Sequence, residues 1–396
     1  MKLRVGPWGG PWGPRPDAPA PDPQPDLPAA QPSAGREAQL ACEQCGAVLA
    51  YAPGTDSLVC AYCGHTNRIE LAPTEIVEQP LEEGLARGEL GHDVEETQTV
   101  KCASCAAEFT FDPDRHAGSC PFCGHSIVTD TGVHRQLKPA ALLPFLITER
   151  EAQERVRHWL RGLWFAPSKL RKYARDQGRL AGVYLPYWTF DSFTRSRYQG
   201  RRGDFYTVPT QVRVRVDGRM VTQTRMVQKV RWRPAAGEVS RHFDDVLVLA
   251  SRSLPAWMTD RLEPWDLADL KPYTPAFVAG FQAEAYQTGL AAGWNAAAEK
   301  MQARIAGDVR LAIGGDMQEI QRLDVRHSER TYKHILLPCW LGAYLFAGKS
   351  YHLSVNARTG MVQGERPYSW IKIAAAVLLA LVVLGIALAV GDAQGF

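Results

Sequence analysis

The sequence predicts a multidomain protein with two small four-cysteine zinc ribbons, an α+β domain with an antiparallel sheet, and one C-terminal transmembrane helix. Three observations predict this architecture. Four C-x-x-C pairs occur between residues 42 and 123, strand-like segments recur between residues 183 and 248, and an uncharged apolar run fills residues 373–390. At 396 residues, of which 45% are hydrophobic, the chain is long enough for more than one domain.

Composition sets the domain boundaries. Residues 1–40 contain ten prolines among Gly, Ala and Asp, a composition that cannot form a packed core and predicts disorder. Eight acidic residues between positions 75 and 96 predict a linker between the two ribbons. The predicted segments are a disordered tail at 1–40, zinc ribbon 1 at 41–70, an acidic linker at 71–100, zinc ribbon 2 at 101–130, an α+β domain at 134–367, a transmembrane helix at 371–390 and a short external tail at 391–396.

The cysteines of the C-x-x-C pairs form an internal repeat, because each of the first four has a counterpart 60 residues later. Two cysteines three positions apart on a tight turn bring both sulfurs to one ion, and two such turns complete a tetrahedral thiolate shell. The spacing predicts two structural Zn²⁺ ions in a reducing compartment, with disulfides or iron–sulfur clusters as the alternatives. The predicted ligands are Cys42, Cys45, Cys60, Cys63, Cys102, Cys105, Cys120 and Cys123.

Local signals place helices and strands in the α+β domain. Thr148 and Glu151 have the spacing of a capping box, and apolar residues follow at helical intervals. Residues 212–216 alternate strictly before Asp217-Gly218, which is typical of a β-hairpin. A later helical stripe ends at Gly314-Gly315.

A basic stretch runs from residue 195 to residue 233, with eleven Arg or Lys side chains against two acids. Alternation puts Arg213 and Arg215 on one face of a strand, where they can contact phosphates of nucleic acid or of anionic lipid. The alternative is a solvated outer face of a half-buried sheet. The net charge of +3 excludes a chain that is strongly basic throughout.

The apolar run at residues 373–390 predicts a single transmembrane helix, since eighteen uncharged residues span roughly 27 Å. Trp370 and Lys372 fit an interfacial anchor, and more basic residues precede the run than follow it. These features predict a tail anchor in the cytoplasmic membrane, single-pass, with the N-terminus in the cytoplasm.

No motif predicts catalysis, and the chain is expected not to be an enzyme. The stretch from Gly342 to Ser350 has five residues between its glycines, whereas a phosphate loop has four. Ser240, His242 and Asp245 lie too close along the chain to be expected as a catalytic triad. An active site without a linear motif in the α+β domain is the alternative. No small-molecule substrate is expected.

The chain resembles a bacterial family of membrane-anchored proteins with TFIIB-type zinc ribbons. Members are often labelled primosomal protein N-prime, or replication factor Y, but this chain lacks the nucleotide-binding loop of a helicase motor. The resemblance implies partners among SPFH-domain and phage-shock-type proteins in envelope stress. Besides the cysteine motifs, it rests on Arg161-Gly162-Leu163-Trp164-Phe165-Ala166-Pro167, Leu185-Pro186-Tyr187-Trp188-Thr189-Phe190-Asp191, Glu263-Pro264-Trp265-Asp266-Leu267 and Gly364-Glu365-Arg366-Pro367-Tyr368-Ser369-Trp370-Ile371-Lys372.

These predictions combine into a function. The leading expectation is a non-enzymatic, tail-anchored membrane scaffold whose ribbons and α+β domain recruit cytoplasmic or membrane-associated proteins. The alternative is a membrane-tethered nucleic-acid-binding protein related to replication or transcription factors.

Overall fold

A computed structural model describes most of one compact unit, Leu40–Phe396. The predicted disordered tail lies outside the described residues, apart from Leu40. The described ranges are 40–70, 75–87, 94–102, 108–110, 117–122, 126–128, 132–167, 180–216, 219–346 and 349–393.

Strands dominate the fold in the described part of the chain. The strands are β1 (Leu49–Tyr51), β2 (Ser57–Cys60), β3 (Thr66–Arg68), β4 (Gln79–Pro80), β5 (Val94–Lys101), β6 (Glu108–Thr110), β7 (Ala117–Ser119), β8 (Ser126–Val128), β9 (Gly132–Leu137), β10 (Ala141–Leu142), β11 (Ala181–Val216), β12 (Arg219–Leu249), β13 (Lys271–Pro272), β14 (Gln282–Ala283), β15 (Met317–Phe346), β16 (Lys349–Asn356) and β17 (Val362–Gly364). The helices are α1 (Leu81–Arg87), α2 (Glu149–Gly162), α3 (Ala256–Asp260), α4 (Pro275–Val278), α5 (Leu290–Ile313) and α6 (Trp370–Ala393), with a 3-10 turn at Leu267–Asp269.

One nine-stranded sheet forms the body of the protein, and its main path runs β12-β11-β15-β10-β13. Strand β11 lies between β12 and β15 and pairs antiparallel with both. The predicted antiparallel sheet is therefore present. The three long strands contain 36, 31 and 30 residues, far more than the hairpin that the local alternation predicted.

Helix α5 packs across one face of this sheet. Its buried residues recur every four positions, at Gly293, Ala297, Met301, Ile305, Val309 and Ile313, and they meet a sheet core that includes Trp188 and Phe190. Burial of each large apolar side chain contributes about 1.5–3 kcal/mol. Gly293 is required at the closest approach, because an added Cβ would lie 2.8 Å from Cδ1 of Trp188.

Helix α2 begins with the predicted capping box. The Glu151 N–H donates to Oγ1 of Thr148 at 3.3 Å, and the Thr148 N–H donates to Oε2 of Glu151 at 2.7 Å. Two N–H groups that the helix leaves without a partner are thereby satisfied. The buried positions Ala152, Val156 and Leu160 then hold the helix against the body.

Beyond the body, β11 and β12 continue as a two-stranded ribbon, called the arm below and comprising residues 204–216 and 219–231. Strand β15 starts at Met317, opposite Gly203, so the third strand ends where the arm begins. Helix α5 ends nearby at Ile313, whose Cδ1 would lie 3.2 Å from a Cβ at Gly200. Thirteen residues of extended chain give the arm a length of about 43 Å.

The prediction of a transmembrane helix is wrong. Among the residues that the structure describes, no helix combines the length and the apolar character needed to cross a membrane. The predictions that depend on this helix are therefore also overturned. They are the tail anchor, the membrane partner, the external tail, and the single-pass location in the cytoplasmic membrane with a cytoplasmic N-terminus.

Candidate metal centre and charged clusters

Ribbon 1 is a three-stranded meander, β1-β2-β3, with one cysteine turn before β1 and the other between β2 and β3, both at the open end of the β1–β2 hairpin. Gly46 and Gly64 directly follow the second cysteine of each pair, with φ angles of 74° and 73°. Their N–H groups donate to the carbonyls of Cys42 and Cys60 at 2.8 and 2.9 Å. Glycine adopts this left-handed conformation without steric cost, so the two turns share one geometry.

The four sulfurs of ribbon 1 converge. Sγ of Cys42 lies 3.6 Å from Sγ of Cys63, and Sγ of Cys45 lies 3.5 Å from Sγ of Cys60. All four sulfurs lie within 4.8 Å of one another, and the cysteines are free. A metal at ~2.3 Å from each of four tetrahedral sulfurs separates them by about 3.8 Å, whereas a disulfide requires about 2.05 Å. The cluster therefore fits a metal ion.

Backbone donors favour the thiolate form of Cys60, whereas the pKa values of Cys45 and Cys63 are raised, in part by hydrogen bonds with neighbouring thiols. Hydrogen bonds from the N–H groups of Cys63 and Tyr62 lower the pKa of Cys60 to about 6, although burial opposes the shift. Metal ions bind the thiolate, so these donors prepare a ligand. The shell is complete with four sulfurs and has no open position for a substrate.

Ribbon 1 is packed on the body. The hydroxyl of Tyr51 donates to the carbonyl of Phe145 at 3.2 Å, and the Tyr51 ring meets Phe277 edge-on at 5.2 Å. The Tyr51 N–H donates to Ala279, and the Gly54 N–H donates to Phe145, both at 2.9 Å. The metal centre thus has a fixed position on the body.

The second cysteine set is only partly described. Cys102 and Cys120 are buried beside Phe109 and Phe122. Cys105 and Cys123 lie outside the described residues. The described residues therefore contain one complete four-sulfur cluster, and the structure supports one metal site.

The predicted acidic linker is folded where it is described. Strand β4 pairs with β15 through Pro80 opposite Thr331, and α1 follows directly. Leu81 is fully buried against the core under α5. Strand β5, at the end of the linker, pairs with β6 and β9.

Asp191 occupies an irregular point of β11, between β12 and β15. Its pairing register shifts on both sides, toward β12 and toward β15. Oδ1 of Asp191 accepts from the N–H of Asp245 at 2.6 Å, and Oδ2 accepts from the hydroxyl of Thr331 at 2.7 Å. Asp245 has a φ of 50°, a conformation that costs energy in a residue other than glycine.

A buried lysine balances the carboxylates around Asp191. Nζ of Lys333, which is 8% exposed, lies 2.9 Å from both Glu78 and Asp245. Oxygens of Asp191, Asp244 and Asp245 lie within 4.8 Å of one another, a spacing that also suits a cation. Because Lys333 already supplies positive charge here, we assign this cluster a structural role.

The pKa of Asp191 is raised to about 6. Burial is the main cause, and the neighbouring Glu78 carboxylate adds to it. The pKa of Glu78 is lowered, since the hydrogen bond and charge of Lys333 outweigh burial. Sequence reasoning missed this cluster because its members come from distant segments. The one available signal was Asp191 itself, the last residue of the motif Leu185-Pro186-Tyr187-Trp188-Thr189-Phe190-Asp191.

The predicted phosphate contacts lie on the arm. Arg213 is exposed on β11, opposite Thr222 of β12, and Arg215 occupies the register position opposite Met220. The side chain of Arg215 lies outside the described side chains. Sequence reasoning missed a second set of cations on β12, because the pairing register is needed to decide which residues share a face.

Comparison with known proteins gives one informative similarity. The chain is 26% identical over 336 residues to the uncharacterized protein YdjG of Bacillus subtilis (strain 168), an alignment that covers 84% of this chain and 91% of YdjG. No protein-family model matches the chain, and no solved structure matches it. The resemblance to TFIIB-type zinc-ribbon proteins stays a prediction.

Proposed function

We propose that this protein is a non-enzymatic scaffold that recruits other proteins through its metal ribbon. The observation that carries this proposal is the cysteine turn around Tyr62. This side chain is 86% exposed although it lies between two metal-binding cysteines, and Val48 on the same ribbon is 62% exposed. Exposed apolar groups on a rigid support are typical of docking surfaces.

The metal in this proposal is Zn²⁺, and the second cysteine set binds a second Zn²⁺. Four thiolates at tetrahedral spacing suit zinc, which needs no particular electronic geometry. The burial of Cys102 and Cys120 supports a second site of the same kind. The closed sulfur shell supports a structural rather than a catalytic role.

A crosslinked pull-down tests the scaffold. Wild-type protein, Tyr62→Ala and Cys42→Ser are compared with Phe205→Ala, which removes an exposed aromatic side chain from the arm instead. We expect a defined set of proteins to be recovered by wild type and Phe205→Ala but lost with the two ribbon variants. Equal recovery by all four proteins removes the ribbon as the docking surface. Turnover of a nucleotide by the purified chain, abolished by a single substitution, contradicts the non-enzymatic assignment.

Nucleic-acid binding is a second candidate function. The observation that favours it is the exposure of cations on the arm, with Arg213 on one face and Arg225 and Lys229 among those on β12. Cations displace condensed counterions from a phosphate backbone, so such binding weakens steeply with salt. The test is duplex DNA binding by the full chain at low and moderate salt. Absence of binding at low salt removes this candidate.

A further inference from the structure

The register of the arm determines which side chains share a face. Directly paired residues of an antiparallel ribbon point to the same side. Arg202 pairs with Arg233, Asp204 with Arg231, Tyr206 with Lys229, and Thr210 with Arg225. One face of the arm and its base therefore carries a line of exposed cations along β12, called the cationic row below: Arg225, Lys229, Arg231 and Arg233.

The cationic row differs from the cations over the body because it has no carboxylate partner among the described residues. Arg241 pairs with Asp308 at 2.6 Å, and Arg197 pairs with Glu238 at 3.0 Å. In the described part of the chain, no carboxylate forms an ion pair with a member of the cationic row. The acid on the same face, Asp204, is held by Arg202 at 2.8 Å. The cations of this row are therefore available to bind an anionic partner.

Protection of an exposed strand edge does not account for this pattern. Strand β12 ends the sheet, and charged side chains do keep such edges from pairing with other chains. Charges of either sign serve that purpose, and mixed signs serve it without a strong field. A row of one sign instead indicates an anionic partner with charges repeated along a line.

The shape of the arm favours duplex DNA over other anionic partners. Two strands without a third fit the major groove of B-form DNA, which is about 12 Å wide and accepts a two-stranded ribbon. The deep, narrow major groove of an RNA duplex does not accept such a ribbon. Single strands are bound mainly by exposed aromatic rings, whereas on the face of the cationic row Tyr206 is covered by the Arg231 guanidinium at 4.8 Å. The exposed Phe205 pairs with Val230 and lies on the opposite face.

We infer that the arm enters the major groove of B-form DNA and that the cationic row contacts the phosphate backbone. This inference rests on the second candidate function above and specifies its surface and its ligand. The two strands run from the body into the arm without interruption in the described backbone up to residue 216. The body includes a third strand and α5 and is too wide to enter the groove. It therefore limits how far the arm can enter.

The test measures binding of the metal-loaded full chain to a short B-form DNA duplex by fluorescence anisotropy across a salt series. The arm variant is Arg225→Gln/Lys229→Gln/Arg231→Gln/Arg233→Gln. Its charge-matched control is Arg150→Gln/Arg157→Gln/Arg304→Gln/Arg310→Gln, which changes four exposed arginines on α2 and α5. Unchanged melting temperature and metal content establish that each variant is folded.

The expected result is a change in salt dependence. Loss of four phosphate contacts makes the slope of log K against log salt shallower by about 3.6. Between 50 and 200 mM salt, the fold-loss of affinity of wild type should therefore exceed that of the arm variant by a factor of about 150. The control variant keeps the wild-type slope. Single-stranded DNA and polyglutamate bind wild type more weakly than the duplex does.

Other outcomes overturn the inference and separate it from the function on which it rests. If wild type binds the duplex and the arm variant keeps the same slope, the cationic row is not the contact surface, and nucleic-acid binding stands. If the control variant loses as much slope, general charge explains the binding. Tighter binding of single strands or of polyglutamate replaces duplex DNA with another partner. Absence of duplex binding by wild type at low salt contradicts both the inference about the arm and nucleic-acid binding as a function.

Discussion

Replacement of Asp191 by Asn tests the physical description of the central charged cluster. In the folded protein the pKa of Asp191 is about 6, against an ordinary value of 3.8. Below the lower value the carboxyl is protonated in both states and has no effect. Between the two values the unfolded carboxyl ionises while the folded one keeps its proton, so stability falls as pH rises, and above about 6 both states are ionised and the loss is complete.

The two pKa values give the magnitude of this effect. A difference of about two pKa units corresponds to about 3 kcal/mol above pH 6, which is an upper bound because the lowered pKa of Glu78 offsets part of it. Asn keeps the acceptor for the Asp245 N–H, and its amide can donate to Thr331. We expect Asp191→Asn to raise the free energy of unfolding by up to about 3 kcal/mol at pH 8 and by little at pH 4.

Urea unfolding of wild type and variant at several pH values measures this difference. Asp260→Asn is the control, because Asp260 lies in an exposed ion pair with Lys300 at 2.8 Å, and such pairs contribute about 0–1 kcal/mol. A stabilisation that does not depend on pH, or a loss of stability that grows with pH, would refute the assignment of a buried carboxyl with a raised pKa.

Three further predictions follow from local geometry. Cys42→Ser should lower the content of bound metal by one ion per chain, measured by mass spectrometry of the metal, and a content equal to wild type contradicts the site. Gly293→Ala should destabilise the fold by about 1–3 kcal/mol, since its Cβ meets Trp188, whereas Gly307→Ala in the same helix meets nothing within 4 Å and should stabilise it by about 0.5–1 kcal/mol. Thr148→Ala should cost about 1 kcal/mol in chemical denaturation, and a loss near zero contradicts a working cap.

Features encoded in neighbouring residues were the ones that the sequence predicted. The capping box at Thr148 and Glu151 and the end of α5 before Gly314 were predicted because each depends on a few adjacent side chains. The four sulfurs of ribbon 1 were also predicted, since the C-x-x-C spacing itself sets the turn geometry.

Features that depend on pairing between distant segments were not predicted. The cluster around Asp191 joins residues 78, 191, 245 and 333, and no local pattern connects them. The cationic row required the register of β11 against β12. The apolar run after residue 373 was interpreted from its composition as a membrane span, and no helix among the described residues meets that expectation.

The continuity of the long strands has a mechanical consequence. Strand β11 passes from its pairing with β15 in the body into the arm, and residues 181–216 form one extended segment. Bending the arm therefore stretches or compresses backbone hydrogen bonds in the body instead of turning a loop. Because ribbon 1 is fixed to the same body through Tyr51, the distance from the metal centre to any molecule held by the arm is set by the number of residues in the strand.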